Sequence, residues 1–176
     1  MAGQTPWQTV GPFFHYGLIR DGGSVLVDDA TPGDRISVTG RVLDGAGQPV
    51  PDALVEIWQA DSAGRYAGDS AFTGFGRSAT GEDGTFHFRT IRPGRVAGPG
   101  NSLQAPHIAV GVMGRGLLKR LVTRLYFADS PDNADDPILA LVPAERRDTL
   151  IARNDGEAWR FDIVLQGDGE TVFLDC

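Results

Sequence analysis

Cysteine and lysine are almost absent from this chain of 176 residues, which has only Cys176 and Lys119. A single cysteine excludes an intrachain disulfide and any metal site built from several thiolates. No apolar run approaches the roughly 20 residues that a membrane-spanning helix needs. The N-terminal residues also lack the basic and apolar regions of a signal peptide. We therefore expect a cytoplasmic protein with no membrane partner.

Positive charge is scarce as well, and the formal net charge is −7. A nucleic-acid-binding protein needs a basic face to neutralise phosphates, so nucleic acid is not an expected partner. Apart from the one lysine, the basic residues are arginines, whose planar guanidinium favours bidentate contacts to carboxylates.

Glycine and proline, by contrast, are frequent, with 24 and 11 residues that separate short apolar runs. Runs in which apolar and polar residues alternate predict strands at 35–44, 53–61, 83–91, 106–113 and 121–129, and a hairpin at 159–175. Short strands at this spacing are typical of an all-β protein. We expect a two-sheet β-sandwich over residues 31–176.

Two segments depart from the strand pattern. One short helix is predicted for residues 143–153, because proline stands at its start, glutamate in its first turn, and Asn154 and Gly156 just beyond its end. Residues 1–30 show no strand pattern and predict an extended arm. Its stretch QTVGPFF is apolar and stiffened by proline, as expected of a segment that packs on a partner chain.

Spacing alone identifies no catalytic centre. A Ser-His-Asp hydrolase would need a G-x-S-x-G turn, which is missing. Gly74 and Gly76 are not followed by a helix, which argues against dinucleotide binding. The acidic run at 129–136 lacks the glycine and the terminal glutamate of a calcium loop, so a solvated loop is predicted there.

The stretch QAPHIAVGV, residues 104–112, raises a sharper question. Residues two apart on a strand point to the same side, so a metal site on a strand would need His-x-His. Here His107 is followed by Ala109. Taken alone, His107 is more often a hydrogen-bonded core or interface histidine, and Tyr66 is more often a half-buried aromatic residue than a ligand.

A set of motifs in fixed order resembles the intradiol ring-cleaving dioxygenases, from about residue 5 to residue 175. The motifs are TPWQTVGPFFHYGL, VEIWQADSAGRY, FGRSATGEDGTFHFRTIRPG, APHI, TRLYF and RFDIVLQGDGETVFLD. Each motif alone is weak, but the ordered set is specific. The resemblance implies a transthyretin-like (prealbumin-like) sandwich and a non-haem Fe(III) cofactor, held by two tyrosines and two histidines.

Only half of that ligand set is matched in this chain. Tyr66 and His107 match the first tyrosine and the first histidine, whereas Val96 and Ala109 stand at the positions of the second ones. Gln104 replaces an arginine of the family. The resemblance therefore implies the remnant of a metal site, with no metal ligated and no catalytic residue in this chain alone.

The resemblance also implies a hetero-oligomer in which a beta subunit of the same fold carries the iron. In that family the arm of the metal-free chain borders the pocket, which puts Thr9, Gly11 and Pro12 beside the substrate. Arg115 matches an arginine near the substrate carboxylate. The implied reaction is intradiol cleavage of protocatechuate (3,4-dihydroxybenzoate) by O2 to 3-carboxy-cis,cis-muconate.

Two alternatives stay open at this point. One is a self-sufficient dioxygenase for another catechol, with ligands drawn from Tyr16, Tyr66, Tyr126, His15, His87 and His107. The other is a transthyretin-like binding module without a catalytic role.

Overall fold

The computed structural model describes residues 3, 5–11, 14–68 and 70–175, and this part of the chain is mostly β-structure. Its strands are β1 Arg35–Leu43, β2 Leu54–Trp58, β3 Phe75–Ala79, β4 Thr85–Ile91, β5 Val96–Ala97, β6 Leu103–Gln104, β7 His107–Met113, β8 Leu121–Phe127, β9 Ile151–Asn154, β10 Trp159–Arg160 and β11 Ile163–Val164. Its helices are α1 Phe14–Leu18 and the 3-10 helices Pro131–Asp135, Leu139–Leu141 and Ala144–Leu150. None of the helices described is both long and apolar enough to span a bilayer.

Nine strands form one mixed sheet that folds into two facing layers. In the first layer β1 pairs with β4 on one side and with β10 and β11 on the other. The second layer has the order β3-β2-β7-β8. Strand β9 joins the layers, because it pairs with both β8 and β10. The all-β sandwich prediction is confirmed, with the addition that β9 makes the two sheets continuous.

The core lies between the two layers and is filled by alternate residues of their strands. Its buried apolar side chains include Val38, Phe86 and Phe88 from the first layer and Ile57, Val110, Leu125 and Phe127 from the second. Because side chains alternate along a strand, the residues between them face outward. On the second layer this outer face carries Trp58, His107, Ala109, Arg124 and Tyr126.

The predicted helix at 143–153 is wrong in its type and its end. The segment is a 3-10 helix over Ala144–Leu150, and β9 begins at Ile151. Ile151 and Ala152 pair with Tyr126 and Phe127 of β8. This long-range pairing overrides the local helix signals.

The predicted hairpin at 159–175 is also wrong in its second half. Only the short strands β10 and β11 form there, and the residues after them are not in a strand. The chain does reverse, because Thr171 N donates a hydrogen bond to Val164 O at 2.9 Å. It then reaches β8, where Leu174 N donates to Val122 O at 2.7 Å.

The N-terminal arm has two parts. Residues 5–9 are exposed, and α1, which the sequence did not predict, follows them. Residues 23–26 lie on this chain's own sheet: Arg77 N in β3 donates to Gly23 O, and Arg89 N in β4 donates to Ser24 O, both at 2.9 Å. The end of the arm is therefore part of the sandwich.

We predict that Gly40→Ala destabilises the sandwich strongly. A Cβ at Gly40 would overlap the carbonyl group of Phe161 and would lie 3.0 Å from the ring of Phe86. Backbone cannot yield as a flexible side chain can, so we expect the free energy of unfolding to fall by about 3 kcal/mol. Denaturant unfolding monitored by circular dichroism measures this change.

The control is Gly17→Ala in α1, where no described atom beyond the helix backbone and the adjoining residues lies within 4 Å of the added Cβ. Alanine favours a helix over glycine, so stability should stay the same or rise slightly. Equal losses in the two variants would contradict the close approach at Gly40.

Candidate functional site

The four positions that the sequence resemblance matches to iron ligands lie on or beside the outer face of the second layer. Tyr66 is in the loop after β2, Val96 begins β5, and His107 and Ala109 are in β7. The ring of Tyr66 is 5.2 Å from the ring of Trp58, which pairs directly with Ala109. Tyr66 and Ala109 are thus close to the same aromatic side chain.

Arg124 links Ala109 to Gln104, which in turn pairs with Val96. It stands directly opposite Ala109 in the β7–β8 pair, and its Nη1 donates to Gln104 Oε1 at 2.6 Å. Gln104 pairs with Val96 in the β5–β6 pair, and its Nε2 donates to Ala97 O at 2.8 Å. A guanidinium therefore contacts the side chain of Gln104, although the sequence has no arginine at position 104 itself.

His107 is buried at the start of β7, with 4% of its surface exposed. Its Nδ1 is 2.8 Å from Ala105 O. A carbonyl oxygen only accepts hydrogen bonds, so Nδ1 is the donor and Nε2 is left as the unprotonated nitrogen. Burial, and next the charge of Arg124, lower the pKa of His107. The imidazole is therefore neutral at physiological pH.

The two tyrosines of this region are phenols rather than phenolates. Burial raises the pKa of Tyr66, against a weaker opposite effect of Arg124. Burial raises the pKa of Tyr126 still more strongly. Both side chains are therefore neutral hydrogen-bonding groups in the chain without a metal.

Asp136 fixes the segment that leads into His107. This fully buried carboxylate accepts hydrogen bonds from the N–H groups of Ala105 (2.7 Å), Ile138 (2.9 Å) and Leu139 (2.7 Å), and from the hydroxyl of Tyr126 (3.0 Å). The sequence predicted a solvated loop for 129–136. For Asp136 that prediction is wrong, because its carboxylate is the acceptor that these buried donors need.

The side chains at the four matched positions do not fit a metal ion. Val96 and Ala109 have no donor atom, so only the phenol oxygen of Tyr66 and the Nε2 of His107 remain at the four positions. Within the ranges that the structure describes, no group of three or more His, Cys, Asp or Glu residues is placed to hold a metal. The arrangement is a polar cluster organised by Arg124 and Asp136.

The residues predicted to bind substrate lie elsewhere, and the structure brings two of them together. The hydroxyl of Thr9 accepts a hydrogen bond from Gly116 N at 3.0 Å and donates to Gly114 O at 3.4 Å. It therefore contacts the backbone on both sides of Arg115. The exposed arm is held against the loop that presents this guanidinium.

Arg115 is exposed and carries a weak ion pair. Its Nη2 is 3.2 Å from Asp52 Oδ2, and the two side chains are 65% and 51% exposed. Exposed pairs of this kind contribute little, so another carboxylate can compete for the guanidinium. At Gly11, no atom of the described residues, its chain neighbours aside, lies within 4 Å of the position of a Cβ. Pro12 lies outside the described residues.

The two regions are separated by the length of β7. His107 is its first residue, and Arg115 lies two residues after its last, Met113. Seven residues of strand span about 20 Å. Arg115 and Thr9 therefore do not line the polar cluster organised by Arg124 and Asp136.

Sequence reasoning missed Arg124 and Asp136. TRLYF was noted as a motif, but only the register of β7 against β8 places Arg124 opposite Ala109. Asp136 ends an acidic run whose composition indicates solvent exposure. No local signal separates this carboxylate from its neighbours.

We predict that His107 makes stability fall in mild acid. Its pKa is lowered in the folded state, so below about pH 6.5 the unfolded chain binds a proton more readily than the folded chain. Above that pH His107 has no such effect on the free energy of unfolding. Below it, the free energy of unfolding falls further as the pH approaches the pKa of His107 in the folded state. Unfolding free energies measured between pH 8 and pH 5 report it.

The variant His107→Gln, which keeps an N–H donor for Ala105 O, should show a weaker loss between pH 7 and pH 5 than the unaltered chain. His87→Gln serves as the control, since His87 is exposed. If the unfolding free energy of His107→Gln fell as steeply with decreasing pH as that of the unaltered chain, His107 would not be the residue responsible.

Comparison with known proteins identifies the family of the chain. The family model described as Dioxygenase matches residues 10–167. The chain is 45% identical over 195 residues to the protocatechuate 3,4-dioxygenase alpha chain of Burkholderia cepacia, covering 98% of this chain and 97% of that protein. It is 42% identical to the beta chain from the same organism, covering 77% of this chain and 66% of that protein.

A solved structure shows the same fold over nearly the whole chain. It is the dioxygenase domain of a dioxygenase carbohydrate-binding protein fusion from Streptomyces sp. SirexAA-E. The TM-score is 0.65 at 32% identity, and the match covers 94% of this chain and 99% of that one.

Proposed function

The chain belongs to the intradiol dioxygenase family, and we propose that it is the alpha subunit of a protocatechuate 3,4-dioxygenase. The similarity to an alpha chain extends over 98% of the chain, whereas the similarity to a beta chain covers 77%. The observation that carries the proposal is the loss of donor atoms at Val96 and Ala109. A member of this family without a complete ligand set needs a partner that has one.

The family implies non-haem iron in the enzyme, and we assign that iron to the beta subunit. When bound, it supplies the Lewis acid that the catechol oxygens require. The assembled enzyme opens the ring of protocatechuate between its two hydroxylated carbons, adds both atoms of O2, and gives 3-carboxy-cis,cis-muconate. No step of this chemistry is assigned to a side chain of this chain.

In the proposal this chain contributes recognition of the substrate carboxylate. The exposed guanidinium of Arg115 pairs with a carboxylate in a charge-assisted hydrogen bond, which is stronger than a neutral one. Thr9 supports the pairing, because its hydroxyl holds the arm to Gly114 and Gly116 on either side of that arginine. The same charge would attract an aromatic acid more than an uncharged catechol.

The remaining residues of the arm would form the wall of the pocket. Gly11 leaves room for a ring to approach the backbone. Pro12 would lower the entropy that the arm loses when it becomes ordered.

The beta subunit is proposed to cover the exposed apolar residues of the arm and of the neighbouring loop. Trp7 is 72% exposed, Tyr16 is 86% exposed and Leu118 is 56% exposed. Burial of such large apolar side chains against a partner would remove them from water. A permanent interface of this kind buries more than about 2,000 Å², and further alpha–beta pairs would extend the assembly.

We predict that Arg115→Gln raises KM for protocatechuate by roughly 10-fold to 100-fold, which is the loss of one charge-assisted hydrogen bond. KM for catechol, which has no carboxylate, should change little. Steady-state kinetics of the alpha–beta complex with both substrates measures the difference. Equal effects on both substrates would show that Arg115 only supports the fold.

The matched control is Asp52→Asn. It removes the ion-pair partner of Arg115 and leaves the guanidinium in place. KM for protocatechuate should then stay the same or fall.

We also predict that the chain expressed alone is colourless and contains no stoichiometric iron. Co-expression with the beta subunit should give a complex that contains iron and shows ferric-tyrosinate absorbance. Elemental analysis and visible spectra of the two preparations provide the test. Stoichiometric iron in the chain alone would contradict the proposal and favour a self-sufficient dioxygenase.

A further inference from the structure

A guanidinium lies among the four positions that match the family's metal ligands. Arg124 is directly opposite Ala109, which has no donor atom. Its Nη1 is 2.6 Å from the amide oxygen of Gln104, which pairs with Val96. The cation therefore lies next to both positions where a ligand is missing.

The two retained positions also lie close to this cation. The Nη1 of Arg124 is 3.4 Å from the hydroxyl of Tyr126, which stands directly opposite His107 across the strand pair. The charge of Arg124 acts on His107 and on Tyr66. The same positive charge thus acts on the two retained positions and lies beside the strands that carry the other two.

The groups that hold Arg124 are neutral. An amide oxygen and a phenol hydroxyl are the acceptors for its Nη1, and the carboxylate of Asp136 is bonded to that hydroxyl rather than to the guanidinium. The guanidinium is also only partly exposed, which weakens screening by solvent. A metal cation that entered this cluster would meet a fixed like charge as well as an incomplete ligand set.

We propose that Arg124 replaces the family's metal with a cation that is part of the chain, and that its charge excludes iron even when the missing donors are restored. The guanidinium organises the cluster by binding Gln104 and Tyr126, as a metal would organise its ligands. This inference rests on the proposed function for the identity of the metal and of the iron-bearing partner.

The test restores the two missing ligands at positions 96 and 109, once with Arg124 in place and once with glutamine at position 124. All variants are studied in the complex with the beta subunit. The wild-type chain is compared with V96Y/A109H, V96Y/A109H/R124Q and V96Y/A109H/R160Q. The last variant is the matched control, since Arg160 is an exposed arginine that pairs with Asp155 outside the cluster. Iron per complex and ferric-tyrosinate absorbance are measured on assembled, folded protein.

Only V96Y/A109H/R124Q should contain a second equivalent of iron beyond that of the beta subunit. A second equivalent in V96Y/A109H would overturn the proposal, because the charge would then not exclude the metal. No second equivalent in assembled V96Y/A109H/R124Q would overturn it as well. Absence of any iron in the wild-type complex would instead contradict the proposed function.

A milder pair of variants covers the case in which the triple variant does not fold. A109H and A109H/R124Q are titrated with Co²⁺ and compared by the intensity of its absorption bands. The affinity of A109H/R124Q should be at least 10-fold higher, as expected when a like charge beside the metal is removed. Equal affinities would reject the exclusion by Arg124.

Discussion

The register of β7 against β8 is the constraint on which the described sites depend. It puts Ala109 opposite Arg124 and His107 opposite Tyr126. A shift by one residue would turn these side chains into the core and bring Ile108 and Leu125 to the outside. Burial of the apolar set on the inner face therefore fixes the polar set on the outer face. The carboxylate of Asp136 adds a second restraint, since it holds both the phenol of Tyr126 and the backbone before His107.

Strand β7 also keeps two roles apart. Its first residues belong to the cluster around Arg124, and the loop after its last residue presents Arg115 to the arm. The two arginines differ in how they are held. Arg124 is bound by neutral partners inside the cluster, and Arg115 has an exposed ion pair with Asp52. The first arrangement suits a structural cation, and the second suits exchange of one carboxylate for another.

Much of the fold could be predicted because its strands have buried and exposed faces. The alternation of Phe86 and Phe88 in β4, for example, gave that strand directly. The helix beginning after Pro143 could be predicted only in part. Its capping residues are local signals, whereas the pairing of Ile151 with Tyr126 joins residues far apart in sequence.

The candidate site shows the same limit. Thr9 and Arg115 could be named from motifs, but their association through Gly116 N joins residues 107 positions apart. Arg124 is one of fifteen arginines, and nothing in its neighbours indicates that it faces Gln104. The structure supplies this information because the strand register is a property of the whole sheet.

The last residues of the arm pair with two edge strands of the sandwich. Residues 23–26 donate to and accept from backbone groups of β3 and β4, the outer strands of the two layers, while β9 connects the layers on the other side. Unpaired strand edges are where sheets of different molecules add to each other and aggregate. With residues 23–26 in place, part of each of these two edges is already paired within the chain and is closed to a strand from another molecule.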